Sequence, residues 1–334
     1  MIRQYIEEQL ALHPSITPQD VIKMCFQAAY GAEHLLTDIE KVRAYFYNEW
    51  ESCSATGEPL AEFIAPDVCR VNLGAWKKAE LPPEWLFNIF VQAAATPMQD
   101  SEQKFFEYVQ EWKAFIPAVE ISDGKPRPVH HSQPYRDAER PAYRVISGAF
   151  TQLVTICYRL GKFLQHKPIV IAIDGRAASG KTTLAANMKA AMGAQVIHMD
   201  DFFLPQELRT AERLATPGGN IHHERFVEEI LPNLRSRKPF THRIFCCQTM
   251  AYSGVREIAP ADIIVVEGSY SQHPALGKYY DLAVFLDINP SEQMRRIEKR
   301  NGTKMAAMFA AKWIPMEELY FNTFCVRKNA NLVV

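Results

Sequence analysis

The stretch IVIAIDGRAASGKTTLA, residues 169–185, constrains this chain more than any other. Five apolar residues run into Asp174 and Gly175, and after four intervening residues come Gly180, Lys181 and Thr182. A buried strand, a glycine-bounded turn and the helix-forming run TTLAANMKAAM in that order read as a phosphate-binding loop. The residue types follow from the chemistry. Gly175 and Gly180 let the backbone turn until successive N–H groups face phosphate oxygens. The start of the next helix adds partial positive charge. Lys181 suits the β- and γ-phosphates of ATP, and the Thr182 hydroxyl suits Mg2+. Gly175, Arg176, Ala177, Ala178, Ser179, Gly180, Lys181, Thr182 and Thr183 are therefore the expected nucleotide cradle.

Phosphoryl transfer also needs carboxylates, one to organise the metal and often one to take a proton. DIIVVEG (262–268) puts Glu267 at the carboxyl end of a buried strand, the edge where ligands collect in an open α/β sheet. Glu267 reads as the acid that acts on Mg2+, directly or through water. VIHMDDFFLP (196–205) gives a second strand end, with Asp200 and Asp201 just beyond it. Adjacent side chains diverge, so one of the two is expected to point inward. An inward carboxylate near the γ-phosphate can accept a proton from an alcohol, which separates a kinase from an NTPase that positions water. Strand-end acids also cap turns, and that reading stays open for Glu267 and for the aspartate pair.

A length of 334 residues allows two domains. Residues 1–165 read as helical. Thr17, Pro18 and Asp20 make a helix start that runs to Tyr30 before Gly31, and Thr37 is the expected cap of a helix carrying Ile39, Val42, Phe46 and Trp50. PPEWLFNIFVQAAA (82–95) is apolar nearly all round, as a buried helix would be, and Phe105, Val109 and Trp112 mark another. After a Pro-rich break, Ile146, Phe150, Leu153, Cys157, Leu160 and Leu164 form one helical stripe. At GKFLQHKP (161–168) the period changes. From 166 to 334, the runs IVIAI, AQVIHM, RIFCC, DIIVVEG, YDLAVFLDI and NLVV alternate with helical patterns, which predicts an α/β domain with a parallel sheet covered on both faces.

Charge and cysteines narrow the class. A formal net charge of −1 gives no general attraction for nucleic acid. The seven cysteines form no CxxC pair and no metal spacing, as expected of reduced thiols in a cytoplasmic protein. The opening MIRQYIEEQLALHP mixes charges through its apolar positions, unlike a signal peptide or anchor, and no apolar run is long enough to span a bilayer.

IAIDGRAASGKTT, MDDFFLP, TPGGNIHHERF, VVEGSYSQHP, YDLAVFLDI and QMRRIEKRNG, in that order, resemble the uridine kinase family of P-loop kinases. The likeness covers roughly 168–334. It implies a five-stranded parallel core, an arginine-bearing lid, and transfer of the γ-phosphoryl of ATP, with Mg2+, to a hydroxyl of a small nucleoside-like acceptor. Carried over by position, Asp200 becomes the general base and Lys181 keeps its phosphate role. Arg296 and Arg300 of the lid would neutralise the transferred group, and Asp201, Phe203, His222, His223 and Tyr270 would face the acceptor. Three departures concern the acceptor. His222 stands where the family often has an acid, Phe245-Cys246 where a Tyr-Asp pair is usual, and Gln293 where an arginine is common. Another hydroxyl acceptor (a sugar, a vitamin precursor, a glycerate-like acid) fits the same chemistry, and a nucleotide-sensing regulator fits the phosphate loop alone.

Residues 1–165 lie outside this likeness. YGAEHLL (30–36) and HHSQPYRDAERPAYRVI (130–146) are similar to segments of uncharacterised bacterial proteins. The second segment gathers His130, His131, Ser132, Tyr135, Arg136, Arg140, Tyr143 and Arg144, a donor set suited to an anionic or sugar-like ligand and equally to a stapled surface loop. His34 with His130 and His131 lacks the carboxylate or helical spacing of a metal site.

Overall fold

The helical reading of the first half holds for most of its length. The computed structural model describes residues 1–36, 38–57, 59–116, 121–122 and 125–334, and it divides into two units, Met1–Gly161 and Lys162–Val334. The first unit contains α1 (Ile2–Leu12), α2 (Pro18–Tyr30), α3 (Ile39–Ser52), α4 (Leu73–Lys78), α5 (Pro83–Ala94), α6 (Ser101–Glu111), α7 (Gln133–Glu139) and α8 (Thr151–Leu160). Helix α2 begins as its sequence predicts. Asp20 Oδ2 accepts from the Thr17 amide and hydroxyl, and Gly31 ends the helix at a φ of 57°. Thr37 lies outside the described residues, and Asp38 caps α3 by accepting from the amides of Glu40 and Lys41. Helix α5 buries Trp85, Leu86, Phe87, Ile89 and Phe90.

This unit also holds strands that helical periodicity conceals. β1 (Ala61–Ala65) and β2 (Val68–Asn72) precede a short pair, β3 (Ile121–Ser122) with β4 (Lys125–Pro126), and then β5 (Tyr143–Ser147). The antiparallel order is β1-β2-β5. Ile146 was expected to open a helical stripe, yet it sits in β5 opposite Cys69. The run Tyr-Arg-Val-Ile favours a pleated surface, and a partner strand far away in sequence makes that surface available. The helical stripe starts only at Thr151.

The second unit builds one five-stranded parallel sheet from β6 (Ile169–Gly175), β7 (Gln195–His198), β10 (Ile263–Glu267), β11 (Leu282–Leu286) and β12 (Leu332–Val333), in the order β12-β11-β6-β10-β7. Strands β6, β10 and β11 are buried at every residue, which is why they read as unbroken apolar runs. RIFCC does not join this sheet. Its first four residues lie in β8 (Phe240–Cys246), paired antiparallel with β9 (Ala251–Ile258) in a separate hairpin. Helices α9 (Lys181–Met192), α10 (Ala211–Ala215), α11 (His223–Glu229), α12 (Pro290–Met308), α13 (Ile314–Thr323) and α14 (Val326–Asn329) complete the unit. Because β10 and β11 leave β6 on opposite sides, the switch point of the sheet falls at the carboxyl end of β6, where an open α/β sheet takes its ligand. Among the described residues, no helix is long and apolar enough to cross a membrane.

Candidate active site

The loop after β6 turns through two glycines for different reasons. Gly175 has a φ of 140°, and a Cβ there would stand 2.2 Å from the Leu286 carbonyl oxygen of the adjacent strand. Gly180 has a φ of 104° as the residue that opens α9, with nothing near its missing side chain. Close packing requires the first glycine, and backbone conformation alone favours the second. Lys181 lies across the loop, its Nζ donating to the carbonyls of Gly175 at 2.7 Å and Arg176 at 2.9 Å. Thr182 and Thr183 are exposed at the start of α9. The Arg176 side chain leaves the loop for Glu318 and Asp287, so only its backbone belongs to the cradle.

Sheet register assembles the acids. Glu267 ends β10 directly beside His198 of β7, whose Nδ1 lies 2.6 Å from the carboxylate. The Thr182 hydroxyl donates to the same carboxylate at 3.3 Å. A hydroxyl and a carboxylate side by side form the oxygen-rich start of a site for a hard divalent cation. His198 was not singled out in the sequence, although its place at a strand end beside a buried acid is the signal that finds it.

Asp200 and Asp201 diverge. Asp201 is buried, and its Oδ2 accepts from His242 Nε2 and Arg256 Nε, each at 3.0 Å. It ties the segment 199–202 to the β8–β9 hairpin. Asp200 is open to solvent at the sheet edge, and the protein packed around it still raises its pKa, with the Glu267 charge adding to the shift and Lys181 opposing it.

Beneath the loop, α13 supplies a floor that the sequence did not announce. Glu317 accepts from the Ala177 amide at 2.9 Å and the Ser269 hydroxyl at 2.7 Å. The Tyr320 hydroxyl donates to Asp174 at 2.8 Å, and that buried carboxylate also accepts from the amides of Gly175, Tyr270 and Gln272. Burial raises Asp174 to a pKa of about 6 despite those four donors. A folded-state pKa above the ordinary value means the native protein holds the extra proton, so this group's contribution to stability is lost as pH rises through about 6. Tyr320→Phe removes a donor that matters most to the ionised form. Urea unfolding should show a loss of about 1.5–3 kcal/mol at pH 8 and a smaller one at pH 5. Equal losses at the two pH values would refute this role.

The remaining expected site residues are spread among several tasks. His222 caps α11 by accepting from the Arg225 amide. His223 is buried in a stack with His273, ring centroids 4.0 Å apart. Tyr270 is buried with its ring 4.8 Å from that of Tyr320, and half-buried Phe203 bridges to Ile221. On α12, Gln293 donates to the Ala177 carbonyl at 3.1 Å, while Arg296 donates to Glu292 and more weakly to the Ala178 carbonyl. Arg300 is exposed and donates to Asn301. In the first unit, His131, Ser132 and Tyr135 are buried and Arg144 pairs with Glu49.

A parallel five-stranded sheet flanked by helices, with a loop of phosphate-binding pattern after its central strand, is a P-loop fold. No family model matches the chain. Among solved structures, it is similar to a protein described as a possible uridine kinase from Bacillus stearothermophilus, at 23% identity and a TM-score of 0.39, over 49% of this chain and 87% of that one. A candidate fructose transport system kinase from Silicibacter sp. TM1040 aligns at 20% identity and a TM-score of 0.40, over 51% of this chain and 91% of that one. Likenesses this distant concern the fold alone, and the fold is assigned from strand order and the phosphate loop themselves.

Proposed function

We propose that the second unit transfers the γ-phosphoryl group of ATP to a hydroxyl of a small, nucleoside-like acceptor. The observation that carries this reading is Asp200. It is an open carboxylate at the edge that bears the phosphate loop, with its pKa raised and within the electrostatic reach of Lys181. A carboxylate shifted upward is the better base for an alcohol proton that becomes acidic only as the new bond forms. Thr182 and Glu267 fit Mg2+, which when bound supplies charge neutralisation on the phosphates, and His198 keeps the Glu267 carboxylate oriented. Lys181 would exchange its two carbonyl partners for phosphate oxygens. Arg296 and Arg300, on the exposed face of α12, are the cations available to the transferred group.

Acceptor identity rests on the resemblance and on the residues around Asp200. His222 offers an imidazole where a carboxylate would hold two sugar hydroxyls, so recognition of the sugar differs here. The test is acceptor-dependent ADP release with uridine, cytidine, fructose, pantothenate and glycerate. Release above the rate with water for uridine or cytidine supports the proposal. Turnover of a non-nucleoside alone keeps the kinase and replaces the acceptor. ATP binding with no turnover on any acceptor favours the nucleotide-sensing reading.

A further inference from the structure

Lys181 holds two carbonyls of the phosphate loop, and the two are not equally supported. The Arg176 carbonyl also accepts from the Ser179 amide at 3.1 Å. Gly175 is buried, and among the described residues the side chains that donate to its carbonyl are Lys181 at 2.7 Å and Ser269 at 3.2 Å. Ser269 stands two residues beyond the end of β10.

The Ser269 hydroxyl has a second acceptor. Glu317 of α13 is 8% exposed, with Oε1 2.7 Å from Ser269 Oγ and Oε2 2.9 Å from the Ala177 amide nitrogen. A hydroxyl carries one hydrogen and donates it in one direction at a time. The carboxylate is the stronger acceptor and here the nearer one. Ser269 therefore donates to Glu317 while Lys181 serves the Gly175 carbonyl. Burial works against the charge on Glu317, and Lys181 with the Ser269 and Ala177 donors sustains it.

A bound triphosphate changes this balance. Lys181 turns from the loop carbonyls to phosphate oxygens, and a buried carbonyl that loses its donor is costly. The Arg176 carbonyl keeps the Ser179 amide. The Gly175 carbonyl has Ser269, already within hydrogen-bond distance, whose hydrogen reaches it by rotation about the Cβ–Oγ bond alone.

We infer that Ser269 and Glu317 form a positioning pair for the nucleotide: Ser269 replaces Lys181 on the Gly175 carbonyl when phosphate takes the lysine, and Glu317 competes for the same hydroxyl. The inference rests on the reading of this loop as a nucleotide site. Both residues act through the loop backbone.

Glu317→Gln separates the competition from the packing. Its Oε1 can still accept from the Ala177 amide, and its Nε2 donates to Ser269 Oγ. That directs the Ser269 hydrogen to Gly175 before any nucleotide arrives, so the variant binds ATP more tightly than wild type. Loss of a merely supporting contact would weaken binding instead.

Isothermal titration of the full chain with Mg2+ and a non-hydrolysable ATP analogue reads the effect. Ser269→Ala should weaken binding by about three- to tenfold, and Glu317→Gln should tighten it by a similar factor. In the double variant, Glu317→Gln should gain less than about twofold over Ser269→Ala, because the hydroxyl it frees is gone. A Glu317→Gln variant that binds no tighter than wild type overturns the pair, and so does a Ser269→Ala variant that binds as wild type. A gain that persists without Ser269 also overturns it, since removal of negative charge near the phosphates would then be the cause. Failure of wild type to bind the analogue would overturn the nucleotide reading itself, and this inference with it.

Discussion

Asp200→Asn is expected to lower kcat by about 10²–10⁴-fold while ATP binds as before. The amide keeps the shape and removes the ability to take a proton. The side chain is open to solvent and, among the described residues, makes no side-chain hydrogen bond, whereas its neighbour Asp201 anchors the β8–β9 hairpin. Unchanged melting together with lost turnover therefore separates chemistry from structure. The measurement is steady-state ADP release on an acceptor that turns over, beside ATP affinity by titration. Asp201→Asn should behave the other way. The neutral amide no longer balances the Arg256 guanidinium and accepts less strongly from His242, so it lowers stability first. A kcat for Asp200→Asn within about threefold of wild type would show that Asp200 is not the general base.

Gly175→Ala should cost about 4 kcal/mol or more of folding stability. The new methyl would meet the Leu286 carbonyl oxygen at 2.2 Å and its amide nitrogen at 2.8 Å, both backbone atoms of the adjacent β11. A flexible side chain could swing aside, but a paired central strand cannot. The φ of 140° adds strain that an L-residue rarely accepts. Gly180→Ala provides the control. It has a positive φ without any near atom, so it should cost about 1–2 kcal/mol from backbone strain alone. Chemical denaturation of both variants checks the difference. Equal losses would mean that conformation and not crowding selects glycine at Gly175.

Much of the candidate site was legible because its signals are local. A phosphate loop is one strand, one turn and one helix, and its glycines, lysine and threonine sit within nine residues of chain. The acids at the ends of VVEG and IHMDD were legible for the same reason, since a buried strand that stops at a carboxylate points to the sheet edge. The roles within the pair Asp200-Asp201 were not. Which one faces solvent depends on His242, Arg225 and Arg256, which reach the segment from α11 and the hairpin. Glu317 and Tyr320 were invisible for a related reason. On α13 they look like ordinary helical residues, and only packing beneath the loop gives them the Ala177 amide and Asp174 as partners.

The same division runs through the first unit. Helices α2, α5 and α6 followed from capping residues and periodicity, which act over a few turns of chain. The strand Tyr143–Ser147 did not, because a strand is stabilised by a neighbour and its neighbour β2 lies far away in sequence. By itself the sequence determined a helical first half, an α/β second half and a strand, glycine turn and helix in the pattern of a phosphate-binding loop. The tertiary structure decided which of two adjacent aspartates stays open and which helix underlies the phosphate loop. It also joined His131 to Asp20 and Arg70 to Gln27. Those outcomes depend on side chains meeting across long stretches of chain, and only packing brings them within hydrogen-bond distance.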